Sequence, residues 1–271
     1  MNAPALTSRT AILERRDSGG VATLTLNDPT SRNALSEAML AALSETLAAI
    51  AEDRSVRAVV LTAVGPCFSS GHNLKEMTAR RADPDRGRAY FADIMKRCAT
   101  MMQQIVSLPQ PVVAAVQGLA TAAGCQLVAT CDLSVASSEA RFCTPGVNIG
   151  LFCSTPMVAL SRNVAPKHAM EMLLLGDIFP AEEAFRMGLV NRVVPAGQEL
   201  GEAQALAARI AAKSSLTVKV GKRAFYEQAT MSLPDAYAHA SAVMVENMLA
   251  RDAEEGINAT LQKRQPQWEH R

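Results

Sequence analysis

The chain lacks the short signatures that would assign its chemistry at once. No G-x-G-x-x-G follows a strand-like run, no phosphate-binding G-x-x-x-x-G-K-[ST] is present, and no G-x-S-x-G elbow occurs. A dinucleotide enzyme, a nucleoside triphosphatase and a serine hydrolase are therefore disfavoured. His72, His168, His239 and His270 are too scattered for a zinc set, so no metal is expected. The six cysteines, Cys67, Cys98, Cys125, Cys131, Cys143 and Cys153, form neither a C-x-x-C spacing nor a paired framework. That favours buried free thiols in a reducing compartment over disulfides or a metal site. The 27 Lys and Arg nearly cancel the 26 Asp and Glu, leaving +1, so no global field draws the chain to nucleic acid or an anionic bilayer. No apolar run approaches the ~20 residues of a membrane span, and none is expected. The first seventeen residues lack the apolar stretch of a secretion signal. Arg9, Arg15 and Arg16 leave organelle targeting as the lesser alternative, and the expected location is the cytoplasm.

What is present is ample material for a core, 49% apolar over 271 residues. "GGVATLTLND", "VRAVVLTAVG", "PVVAAVQG" and "DLSVAS" are short β-branched runs closed by turn residues, and they read as strands. Helical stretches fall between them. From Ser36, an N-cap residue, Met39, Leu40, Leu43, Leu47 and Ile50 share one stripe, and a second helix is expected from about Arg88 to Val106, stopped by Pro109 and Pro111. Strand, strand and helix recur at ~40 to 50 residues, a coil of similar units without detectable identity between them. After Pro166 the pattern is almost purely helical, with Pro-to-Gly segments at 166–176 and 180–188. The reading is an α/β core over residues 1–195 and a C-terminal helical region over 196–271. No Ser/Gly linker separates them, so they form one functional unit.

Two turns stand out for having almost no side chains to offer. "GLATAAGCQLVATCD" runs from a strand end at Gly118 into a helix start, which aims free backbone N–H groups and the positive helix end at one spot. Tight packing of the helix on the sheet explains Ala122, Ala123 and Gly124 equally well. "CFSSGHNLKEM" follows another strand with the same character. Two such turns at the same end of neighbouring strands place two N–H donors around one oxygen, the arrangement that stabilises an enolate or a tetrahedral oxyanion. His72 contributes its backbone N–H in this reading, while its imidazole is a wall or a satisfied polar group.

"FSSGHNL", "GLATAAGCQL", "CDL" and "LLGDIFPAEEAFRMGLVNRVVP" resemble, in order and spacing, the marker segments of the crotonase family of enoyl-CoA hydratases and isomerases, from about Gly20 to past Ala229. The resemblance implies a spiral of ββα units with a helical trimerisation region, assembled as a homotrimer or dimer of trimers. It implies an acyl-CoA thioester as substrate, with coenzyme A entering only as part of that substrate and no separate cofactor. The thioester carbonyl would accept hydrogen bonds from the amides of His72 and Ala123. Ser70, Gly71, Asn73, Leu74, Lys75 and Gly124, on the same two turns, are the candidate substrate contacts.

The departures limit the chemistry. Hydratases of the family carry one glutamate at the position of Gln126 and another at the position of Gly146. An amide can hold a water but cannot take its proton, and a glycine offers nothing. General acid–base help is worth about 10² to 10⁴ per well-placed group, so weak or absent hydration of crotonyl-CoA is expected. The aspartate usual at Asn73 is gone, as is the aspartate that dienoyl isomerases carry at Ser154. Ser154 remains a candidate donor to water or substrate, beside Thr144, Asn148, Thr155 and Cys153. Cys153 would need an activating neighbour to act as a nucleophile. The basic run from Ala79 to Arg88, Lys75 and the segment at Lys219 are candidates for coenzyme A phosphates, with a solvated charge run as the default. Two functional classes stay open: an enzyme of acyl-CoA metabolism that stabilises a thioester enolate, including a decarboxylase-type one, and a catalytically silent acyl-CoA binder.

Overall fold

The structure is a computed structural model and describes residues 11–271. In chain order its elements are β1 (Leu13–Ser18), β2 (Val21–Leu26), α1 (Glu37–Glu52), β3 (Ala58–Ala63), β4 (Cys67–Ser69), α2 (Leu74–Ala79), α3 (Arg88–Ser107), β5 (Val112–Val116), β6 (Leu119–Thr121) and α4 (Ala123–Thr130). There follow β7 (Leu133–Ser137), β8 (Arg141–Cys143), α5 (Pro156–Asn163), α6 (Pro166–Leu175), β9 (Phe179–Pro180), α7 (Ala181–Met187) and β10 (Arg192–Val194). The chain closes with α8 (Glu199–Ala211), α9 (Ser215–Gln228), α10 (Leu233–Met248) and α11 (Arg251–Leu261).

The strands divide between two sheets. Six form the order β1-β2-β3-β5-β7-β10, parallel except for β1, which pairs antiparallel with β2 at the edge. Four form the order β4-β6-β8-β9, parallel except for β9. Each of β3–β4, β5–β6 and β7–β8 places one strand in the large sheet and the next in the small one before a helix returns the chain. This is the ββα spiral. Its pitch in sequence is uneven, since the large-sheet strands start at Ala58, Val112 and Leu133, and the even 40 to 50 residue recurrence expected above does not hold. The first return carries the 20-residue α3, whereas the second carries only the eight-residue α4.

Alternation along the strands sends side chains to opposite faces of the large sheet. Leu24, Val59, Leu61, Val112 and Ala114 face the main core, which α1 and α3 complete with Met39, Leu43, Leu47, Met101 and Ile105. Ala58, Val60, Val113, Ala115 and Val135 face the other way, against Ala203, Ala207 and Ala211 of α8. Methyl groups spaced four residues apart let that helix sit close to the strands. The C-terminal helical part thus begins by covering a sheet face, and only α9 to α11 project beyond it.

Those last helices bury little. Lys222 is the single buried residue of α9, α10 buries none, and α11 buries Asp252 and Ala259. Leu233, Tyr237, Met244, Val245 and Leu249 of this region stand exposed. In α6 the Met and Leu stripe splits: Ala169, Met172 and Leu173 are buried, while Met170, Leu174 and Leu175 face outward. Among the described residues no helix is long and apolar enough to cross a membrane.

Candidate active site

The turn after β4 is built by a segment the sequence reading passed over. Asn33, buried and at φ +52, donates through Nδ2 to the carbonyls of Val64 at 2.9 Å and Cys67 at 2.8 Å, and its Oδ1 accepts from the Asp28 amide at 2.8 Å. Asn is among the few residues that hold the left-handed region cheaply, which suits it to this knot. Ser69 Oγ donates to Asn33 O at 2.8 Å, and the amide of Ser70 donates to Arg32 O at 3.0 Å. The Leu35 amide donates to Gly71 O at 2.8 Å within a parallel bridge between Leu35 and His72. In that register the groups flanking His72 face Leu35, so the His72 amide points the other way.

The second turn meets the first at close range. Gly71 has φ +81, and a Cβ on it would lie 3.0 Å from the Ala123 nitrogen and 3.1 Å from the Ala122 Cβ. Ala122 itself sits at φ 51, ψ −119, a region that costs an alanine about 1–3 kcal/mol. Two contacts hold it there. Its amide donates to Cys143 O at 3.0 Å, and Gly124 packs so tightly on β4 that a Cβ would lie 2.2 Å from Ser69 O. The strained residue turns the chain into α4, leaving the Ala123 amide among the first four of the helix, which have no intrahelical acceptor. Packing therefore accounts for Gly124, and the same packing brings the His72 and Ala123 segments side by side.

The remaining residues on the first turn are divided in their use. Ser70 Oγ donates to Ser31 O at 3.3 Å. Asn73 caps α2, its Oδ1 accepting from the amides of Lys75 at 3.1 Å and Glu76 at 3.4 Å, so the turn is held by a side-chain amide oxygen. Leu74 and Lys75 are exposed. The His72 imidazole is not a satisfied polar group: both ring nitrogens are buried without a hydrogen-bond partner. Burial pushes its pKa below the ordinary value, with a weaker opposing pull from the Leu35 backbone, so the ring is neutral near pH 7.

Gln126 lies one turn along α4, 4% exposed, with its Oε1 buried and unpartnered. Gly146 is buried in the short helical turn Pro145–Ile149 after β8. A Cβ there would lie 2.7 Å from Leu151 O and 2.9 Å from Cys153 Sγ. The position has no space for a larger side chain, and the obstruction is close approach of the chain, not a left-handed φ. Burial pushes the Cys153 thiol up, against a smaller opposing effect of the Gly146 backbone, and the same desolvation raises Cys125 and Cys143. Such thiols are not activated nucleophiles. Thr144 spends its hydroxyl on Met172 O at 2.8 Å, whereas Ser154 and Asn148 are exposed.

The basic run is an ordered surface. The Arg80 guanidinium stacks over Tyr90 at 4.9 Å and that of Arg81 over Phe91 at 5.6 Å, and Arg80 pairs with Glu37 at 3.9 Å. Lys219 is exposed, but Lys222 in the same segment is buried in an ion pair with Asp132 at 2.7 Å.

The sequence model of the enoyl-CoA hydratase/isomerase family matches residues 16–271. The chain is 46% identical to the mitochondrial enoyl-CoA hydratase domain-containing protein 3 of Rattus norvegicus, over 97% of this chain and 86% of the relative. The human protein of that name is also 46% identical, over 94% and 82%. Its crystal structure superimposes with a TM-score of 0.90, covering 95% of this chain and all of that one, at 45% identity. A crystal structure of an enoyl-CoA hydratase from Mycobacterium smegmatis matches with the same TM-score at 52% identity, over 95% and 98%.

These relatives overturn the cytoplasmic location expected from the sequence, since the domain-containing protein 3 homologues are named mitochondrial. That expectation gave weight to a missing apolar stretch, which a basic, Ser-rich organelle leader does not need. Of the basic residues behind the alternative, Arg15 and Arg16 lie in β1 and pair with Asp17, Asp53 and Glu14, while Arg9 falls outside the described residues. A crotonase fold, two facing main-chain turns and a family match over nearly the whole length agree: the chain is a member of the enoyl-CoA hydratase/isomerase, or crotonase, family.

Proposed function

We propose that this protein binds an acyl-CoA thioester and holds its carbonyl oxygen between the amides of His72 and Ala123, with no carboxylate placed to add water. The observation that carries the reading is the strained Ala122 turn, which presents the Ala123 amide 3.0 Å from where a Gly71 side chain would begin. Two such donors favour the charge that develops on a thioester oxygen as an enolate forms, and losing one donor typically removes about 10² to 10³ in rate. Gln126 holds a water or a polar acyl group through its buried amide. Position 146 contributes backbone only. The neutral His72 ring walls the oxygen site and adds no positive charge to it.

The assembly we propose is a homotrimer or a dimer of trimers. Supporting it are exposed apolar side chains in two parts of the chain, on α9 and α10 and at Ile149, Leu151, Phe152, Leu174 and Leu175. Two different regions of each copy suit a head-to-tail ring.

The test is crotonyl-CoA hydration, together with a panel of enoyl-, dienoyl- and malonyl-type thioesters. The natural chain is expected to hydrate at least about 10² more slowly than a relative carrying both acids. Gln126→Glu alone is the restoration to make, because Gly146→Glu collides with Leu151 and Cys153. Turnover of any panel member identifies an enzyme, and tight binding without conversion identifies a silent binder. Hydration by the natural chain at the rate of an acid-bearing relative contradicts the reading.

A further inference from the structure

Far from the oxygen site, one ammonium gathers three segments of the body. Lys222 Nζ donates to Asp132 Oδ2 at 2.7 Å, Ile105 O at 2.9 Å and Gln110 O at 3.2 Å, which uses all three of its protons. Ile105 O lies in the last turn of α3, where carbonyls lack intrahelical partners. Asp132 is equally committed: Oδ2 also accepts from the Val112 amide at 2.7 Å, and Oδ1 accepts from Tyr226 Oη at 2.9 Å. The Lys222 side chain is 6% exposed, and burial, its dominant influence, pulls its pKa down against the pull of Asp132.

Two features give this cluster more than a packing role. First, α9 buries nothing else and α10 buries nothing at all, so the projecting helices are fixed to α3, α4 and β5 by this polar grip in place of an apolar core. Trp268 Nε1 also donates to Ala212 O at 3.0 Å, at the end of α8. Second, Asp132 stands two residues beyond the last residue of α4, whose first residue is Ala123. Eight residues of helix span about 12 Å, and Asp132 joins that helix through the single extended residue Cys131, a short path along which a displacement at Asp132 reaches the Ala123 turn.

We propose that Lys222, with Asp132 and Tyr226, is a positioning cluster that couples the placement of helices α9 to α11 to the placement of the α4 turn. The inference rests on the reading of the Ala123 amide as a donor to a thioester oxygen.

The test reads the bond that the amides polarise. Butyryl-CoA labelled with ¹³C at the thioester carbonyl is bound to the full chain, and the carbonyl stretch is followed by isotope-edited infrared spectroscopy beside the binding affinity. The natural chain shifts the stretch to lower frequency. Lys222→Met is expected to weaken binding about fivefold and to lose a clear part of the shift. Tyr226→Phe, which keeps the ion pair, is expected to give a smaller loss in the same direction. A purely structural ion pair would lower stability and leave the shift of the folded fraction intact, so variants with the full natural shift overturn the coupling. Should Lys222→Met fail to fold, Tyr226→Phe decides alone, and an unchanged shift there overturns it. A natural chain that binds the thioester with no shift contradicts the oxygen-site reading itself, and the coupling falls with it.

Discussion

Helices α4 and α10 show opposite ways of using a sequence. All eight residues of α4 are buried, and none of the sixteen of α10 is. In α4 the neighbours fix the backbone from every side, so residues as plain as Ala123 and Gly124 occupy the centre of the candidate site. In α10 the apolar side chains, among them Tyr237, Met244 and Val245, face outward and are exposed.

Substitutions should separate the two regimes. The largest loss is expected from Asp132→Ala, which leaves the Lys222 ammonium buried without its counter-charge and should cost about 3–5 kcal/mol in denaturant unfolding. Gly124→Ala places a methyl 2.2 Å from Ser69 O and should cost about 3 kcal/mol, with the oxygen site displaced as well. Asn33→Ala, measured the same way, should cost about 2 kcal/mol through three lost hydrogen bonds behind the His72 turn.

His72 gives a pH-dependent signature. Its folded-state pKa lies below the ordinary 6.5, so its contribution to stability is complete above 6.5 and is lost as acid forces the buried ring to charge. Thermal unfolding across pH should show His72→Gln losing less stability than the natural chain below that value, with the two converging above it. At the C-cap of α10, Leu249→Ser should change monomer stability by no more than about 0.5 kcal/mol, yet sedimentation should show a weakened assembly. A large stability loss there would dissolve the contrast with α4.

Much of this was legible in the chain. Ser36 accepts from the Met39 amide, and Met39, Leu40, Leu43, Leu47 and Ile50 are the buried stripe of α1, because a helix of 16 residues carries its period openly. The strands of the large sheet announced themselves by β-branched runs. Those of the small sheet did not, since β6, β8 and β9 are two or three residues long and exist only because the spiral brings them together. Edge strand β1 reads LERRDS, polar where an unpaired edge faces solvent, and carries no apolar signal.

The two turns of the site were visible through their small residues, but the strain at Ala122, the knot at Asn33 and the crowding at Gly146 depend on contacts with distant segments, as of Ala122 with Cys143, Gly124 with Ser69 and Asn33 with Cys67, or across a fold-back, which no local pattern encodes. Lys222 illustrates the same limit. In the sequence it is one of several lysines and arginines on a helix, and only its 90-residue reach to Asp132 sets it apart.

The most direct test of the central claim is a crystal structure with butyryl-CoA bound. The account predicts the thioester oxygen within about 3.1 Å of both the His72 and Ala123 nitrogens, as charge-stabilising donors require. A thioester oxygen facing solvent or another side chain, with those two amides taken by the protein's own carbonyls, would contradict it.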